Sequence, residues 1–247
     1  MPATDRPVSV ITGGGSGIGR AAGIAMAKAG HHVVFSGRNT ERLNESVDLA
    51  GSGEAVVLDV TDEQAVEAAF ADIARRIGRL DVLINSAGAF GTQKPVTETS
   101  LQDWTHTMDV NVTGSFLCAK AAMRIMAAQD PRGGRIINIG SVSAQVPRPH
   151  AVPYTASKFA ITGLTRALVL EGRDCDVAVG QIDVGNAATA MTASFGSLRA
   201  DGTIESEPKI DVRHVASTIA HVAALPTDVS VPFLTIMATR MPLLGRG

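Results

Sequence analysis

Cysteine is nearly missing from this 247-residue chain, which holds only Cys118 and Cys175. They are far apart in apolar text, so they read as buried thiols rather than as a disulfide framework, and no metal-ligand set is expected. No run of lysine or arginine occurs and the net charge is −2. Nucleic acid and acidic membrane surfaces are therefore not expected partners. A basic leader with a cleavage site is also missing, as is any long apolar stretch. No signal peptide or membrane span is expected, and the cytoplasm is the predicted location. Tyrosine is scarcer still, with a single copy at Tyr154. What is present is a globular composition, 45% hydrophobic and 19% charged with 25 glycines, which excludes a disordered chain. The length suits one α/β domain over residues 1–247.

Short apolar runs alternate with amphipathic stretches. Strands are predicted at 8–12, 32–37, 55–60, 80–85, 134–140 and 177–182, each rich in Val and Ile and bounded by Gly, Asp or Asn. Their nearly continuous apolarity suits strands covered on both faces. Helices are predicted at 17–30, 40–50, 62–78, 101–129 and 154–172. Two of them begin with capping-box text, Thr61 to Gln64 and Ser100 to Asp103. This alternation implies right-handed crossovers and a doubly wound parallel sheet flanked by helices. Residues 187–209 are small, polar and aperiodic, and follow the carboxyl end of a strand, so they are a candidate substrate lid carrying Met191, Phe195 and Leu198.

Thr12 to Gly19 reads TGGGSGIG between the first strand and the first helix. Glycines there let the backbone turn sharply against a pyrophosphate, and the helix N-terminus supplies free N–H groups and positive potential. The second strand ends at Gly37 and Arg38. An acid that would hold an NAD ribose hydroxyl is absent, whereas a guanidinium can bind a 2′-phosphate, so NADP(H) is preferred over NAD(H). Asp59 could accept a bond from the adenine amino group, and Asn85 to Gly88 let the backbone lie against a ribose. Tyr154 and Lys158 in YTASK are four apart, on one helix face with Cβ atoms about 5–6 Å apart. The ammonium is expected to favour phenolate and make Tyr154 a usable acid or base.

Together TGGGSGIG, NSAG (85–88), Asn111 in DVNVTG, Ser141 in INIGSVSA, and YTASK resemble the short-chain dehydrogenase/reductase family. The resemblance runs over about residues 8 to 192 in the expected order, with Ser141 thirteen positions before Tyr154. It implies a Rossmann-type fold and an oxidoreductase that interconverts a carbonyl and a secondary alcohol. Tyr154 would move the proton, Ser141 would orient the carbonyl oxygen, Lys158 would bind the nicotinamide ribose, and Asn111 would hold a water linked to Lys158. Ser143 rivals Ser141, and His150 reads as a loop residue. Cofactor contacts are expected from Gly13, Ser16, Gly17, Ile18, Gly19, Arg38, Asp59, Val60, Asn85, Ala87, Gly88, Tyr154, Lys158, Gly185 and Thr189. Gly185 and Thr189 keep the family's spacing, but Val184 replaces a proline and leaves the backbone there less fixed. The tail, VPFLTIMATRMPLLGRG, departs from the family's acidic turn. Family habit implies a homotetramer or dimer packed through 101–129 and 154–172. The alternatives are an NAD-dependent alcohol dehydrogenase of the same fold and a catalytically silent dinucleotide sensor or scaffold.

Overall fold

The computed structural model describes residues 5–192, 196–198 and 204–243. Its centre is a seven-stranded sheet in the order β3-β2-β1-β4-β5-β6-β9, every neighbouring pair parallel. The strands are β1 (Val8–Thr12), β2 (His32–Gly37), β3 (Glu54–Val57), β4 (Val82–Asn85), β5 (Gly134–Ile139), β6 (Val177–Val184) and β9 (Phe233–Ile236). Two short strands, β7 (Gly196–Leu198) and β8 (Ile204–Ser206), pair antiparallel apart from the sheet. The helices are α1 (Gly17–Lys28), α2 (Thr40–Ala50), α3 (Glu63–Ile77), α4 (Leu101–Met108), α5 (Gly114–Ala128), α6 (Val152–Gly172) and α7 (Val212–Ala223).

The apolar strands have two destinations. Val8, Val10, Leu83 and Ile136 pack with Phe70, Leu117 and Leu168, placing α3, α5 and α6 on one face. Ile11, Ile84 and Ile137 pack with Met26, Leu43 and Ile219, placing α1, α2 and α7 on the other. Neighbouring residues of one strand thus feed opposite cores, which is why the strands lack polar alternation. Because β1 and β4 lie side by side with their crossovers on opposite faces, a crevice opens at their carboxyl ends.

The elements differ from the sequence expectations at instructive places. Helix α7 and strand β9 were not predicted. The signal for α7 was legible: Val215, Ile219 and Val222 are buried at helical spacing behind an Asp211 side chain that accepts from Arg213 N. Pro232 precedes β9, an edge strand, where proline costs no ladder bond. The cap of α3 is Asp62, whose carboxylate accepts from Ala65 N at 3.0 Å, while Thr61 donates to Asp59 instead. Ser100 does cap α4, accepting from Asp103 N. The predicted helix 101–129 is two helices joined by a π-helical turn, Asp109–Thr113. Of the two cysteines Cys118 is buried, its thiol pushed up to about 12 by burial, but Cys175 is only partly buried.

Strand β6 runs two residues beyond its predicted end. With valine at 184 rather than proline the ladder continues, Val184 pairing with Ile236 and Gly185 N donating to Ile236 O at 2.9 Å. A Cβ on Gly185 would sit 2.6 Å from Met237 Cβ, and Met241 is buried with its sulfur 3.3 Å from Asn186 N. The expected looseness is therefore corrected: the divergent tail clamps this turn. Among the described residues, no helix is long and apolar enough to cross a membrane.

Candidate active site

The glycine turn lies at the mouth of the crevice. Gly13 has φ +66, and a Cβ there would stand 2.9 Å from Ala87 Cα. A Cβ on Gly19 would come within 2.4 Å of Gly13 O. The turn and the loop after β4 are therefore backbone against backbone, a cradle only glycine permits. Thr12 Oγ1 fastens the two, accepting from Ser86 N and Ala87 N, each at 3.0 Å.

From this cradle one cleft runs in two directions. One arm is lined by Gly37, Arg38, Asn39, Arg42, Asp59, Val60, Ala87 and Gly88. Hydrogen bonds from Thr61, with Arg38 contributing, hold the Asp59 carboxyl below the usual carboxylate range. Arg42, which the sequence reading missed, places a second guanidinium stem beside the turn. The other arm passes Ser16, Gly17, Ile18 and Gly19 to Ser141, Tyr154, Lys158, Gly185 and Thr189. Thr189 stands over the N-terminus of α1, where a Cβ on Gly17 would meet its Cγ2 at 3.5 Å. Gly13, Ser16 and Gly88 line both arms. Of the expected contacts Asn85 lines neither arm; its side chain is buried and donates to Asn138 Oδ1 and Ser115 O.

At the far end Tyr154, on the first turn of α6, stacks on Phe90 with ring centroids 4.5 Å apart. Lys158 Nζ lies 5.5 Å from the tyrosine ring centroid and donates to Ile139 O at 2.8 Å. The electrostatics differ from the expectation. Burial pushes Tyr154 up, against hydrogen bonding to Ser141 and the charge of Arg148, while Asp183 adds to the rise. Burial also lowers Lys158 to about 8, so it is a strained cation with its ammonium spent on a carbonyl. The ammonium alone does not bring Tyr154 toward neutrality. Ser141 Oγ accepts from Ser143 N at 3.1 Å, and both serines are buried and line the cleft.

Asn111 occupies the π-helical turn and has an engaged amide. Oδ1 accepts from Ala89 N at 2.7 Å, and Nδ2 donates to Ala89 O at 2.9 Å and Ser157 Oγ at 2.8 Å. Ser157 in turn donates to the Tyr154 carbonyl at 2.7 Å. Asn111 thus ties the loop after β4 to the helix that carries Tyr154.

A profile of the short chain dehydrogenase family matches residues 7–199. The chain belongs to the short-chain dehydrogenase/reductase family. This oxidoreductase is 40% identical over 171 residues to a 3beta-hydroxysteroid dehydrogenase of Mediterraneibacter gnavus, covering 68% of this chain and 61% of that relative. It is 35% identical to the uncharacterized oxidoreductase YohF of Escherichia coli, covering 85% and 83%. Among solved structures, an NADPH complex of actinorhodin polyketide ketoreductase superposes with a TM-score of 0.84 at 28% identity, covering 96% of this chain and 97% of that one.

The candidate lid, 187–209, leaves and rejoins the fold at one place. Ala187 bridges Ile210, and Ala188 N and Ile210 N bond across the base. Met191 is 45% exposed and lines the cleft. Phe195 lies outside the described residues, as does the side chain of Leu198. Arg148, another residue the sequence reading passed over, lines the cleft and forms a buried ion pair with Glu207. His150 lies in an exposed loop with φ +58.

Proposed function

We infer that this enzyme interconverts a carbonyl and a secondary alcohol, with NADP(H) preferred over NAD(H). The observation that carries the reading is the single cleft joining Arg38, the glycine cradle and the Ser141–Tyr154–Lys158 group. The cradle fits a pyrophosphate because glycines alone leave room between Gly13, Gly19 and Ala87. Arg38, with Arg42 beside it and no acid at Gly37, suits a 2′-phosphate. Thr189, Gly185 and Lys158 would hold the nicotinamide half, and a bound nicotinamide supplies hydride donor or acceptor capacity. Ser141 donates to the carbonyl oxygen and orients it. Tyr154, kept protonated by burial, is poised as the acid in reduction and serves as the base in oxidation. Asn111 ties the loop after β4 to the Tyr154 helix, and a water held beside it would link Lys158 to solvent. Relatives named a hydroxysteroid dehydrogenase and a ketoreductase support this substrate chemistry. Met191, which lines the cleft at the start of the candidate lid, would be an apolar contact for the substrate.

Phe116 on α5 and Phe159 on α6 are about half exposed, at 46% and 48%, and favour a homotetramer or dimer, which sedimentation would show. Action in the cytoplasm fits two free cysteines. The deciding experiment pairs NADPH and NADH fluorescence titrations with assays of Tyr154→Phe. The variant binds cofactor like the parent but loses roughly a hundredfold or more in turnover. Near-normal turnover refutes the proton role, and failure to bind either nucleotide refutes the whole reading.

A further inference from the structure

Asp183 is the penultimate residue of β6 and is only 5% exposed, an acid near the carboxyl end of a fully buried strand. Its carboxylate accepts from Ser141 N at 3.0 Å, Gln181 Nε2 at 2.6 Å and Gln145 Nε2 at 3.0 Å. Every one of these partners is a donor. Three N–H groups aimed at one carboxyl group suit a negative charge.

Behind it runs a buried chain of polar side chains. Asn85 Nδ2 donates to Asn138 Oδ1, Asn138 Nδ2 to Thr165 Oγ1, Thr165 Oγ1 to Gln181 Oε1, and Gln181 Nε2 to Asp183. All four links point the same way. Each bond polarises the next, and the sequence of donors terminates on the one group that can absorb them, a negative charge. In front, Gly140 makes the room, since a Cβ there would lie 2.0 Å from Asp183 Oδ1. On either side of Gly140 are Ile139, whose carbonyl takes the Lys158 ammonium, and Ser141. Three consecutive residues thus bring Lys158, Asp183 and the serine together.

We propose that Asp183 is a positioning residue of this centre: its carboxylate fixes the Ser141 main chain from beneath and supplies the negative charge that faces Lys158 and Tyr154. The proposal rests on the acid–base reading of Tyr154 given above. The charged and titratable groups around it are Lys158 and Tyr154 from α6 and Arg148 from the loop after β5, the last paired with Glu207. Asp183 favours the Lys158 cation and disfavours the Tyr154 phenolate. It therefore keeps both protons in place until a carbonyl arrives.

Because Tyr154 is the only tyrosine, phenolate absorbance in the near ultraviolet titrates this one group in the cofactor-free protein. Asp183→Asn is nearly isosteric, and the Gln145 amide can turn to accept from it. Its midpoint moves to lower pH. Gln145→Leu, at an exposed position, keeps the carboxylate but removes one neutralising donor, and its midpoint moves to higher pH. A folded Asp183→Asn protein with an unmoved or raised midpoint overturns the proposal. Should that variant not fold, Gln145→Leu decides, with an unmoved or lowered midpoint overturning it. Neither titration uses nucleotide or substrate. Failure here is thus separate from failure of the functional reading, which would appear as absent NADPH and NADH binding.

Discussion

Replacing Lys158 by methionine should stabilise the cofactor-free protein while abolishing its activity. The lysine is 8% exposed, and burial lowers it from 10.5 to about 8 even with Asp183 pulling the other way. At about 1.4 kcal/mol per pH unit, that gap is a penalty of about 3 kcal/mol for holding the charged form in the fold. Methionine keeps the unbranched stem and removes the charge. It also strands the Ile139 carbonyl, now bonded at 2.8 Å, at a cost of about 1 kcal/mol. The net gain is about 2 kcal/mol at pH 7, or roughly 4–8 °C in Tm for a chain of this size. The sign fixes the pH dependence. Below pH 8 both native and unfolded wild type carry the proton, and the penalty is complete. Between about 8 and 10.5 only the unfolded chain keeps it, so wild-type stability rises with pH and the advantage of the variant shrinks. Above 10.5 the advantage is gone. Thermal melts of both proteins across this range provide the assay. A variant that melts at or below wild type at pH 7, or an advantage that ignores pH, refutes the reasoning.

Two further outcomes follow from named contacts. Asn111→Ala deletes three hydrogen bonds to Ala89 and Ser157 and should lower unfolding free energy by roughly 2–4 kcal/mol; denaturant titration reads this, and a loss below about 1 kcal/mol contradicts the bridging role. Arg38→Ala should weaken NADPH binding about tenfold or more while leaving NADH unchanged; equal loss for both nucleotides in paired titrations removes the 2′-phosphate reading.

The alternation of apolar runs and amphipathic segments, the glycine turn, and the Tyr154–Lys158 spacing are local facts, and the sequence determined them. Hydrophobic period reports burial of the segment that carries it, and an i to i+4 spacing fixes a shared helix face. That is why strands, most helices and the cleft-lining residues from Gly13 to Thr189 were legible. Even the π-helical turn left a trace, in an asparagine misplaced in helical text. Polar partner choice was decided only by tertiary structure. Asn111 meets Ala89 and Ser157, and Asp183 meets Ser141, because parallel register brings residues 22 to 46 positions apart to one sheet end. The charge balance at Tyr154 was equally hidden. Spacing placed an ammonium nearby, but desolvation dominates, with Asp183 adding to it and Ser141 and Arg148 opposing it, and all of these depend on how the layers close. The tail likewise looked divergent as text, yet β9 and Met241 lock Gly185 through contacts that no local pattern encodes.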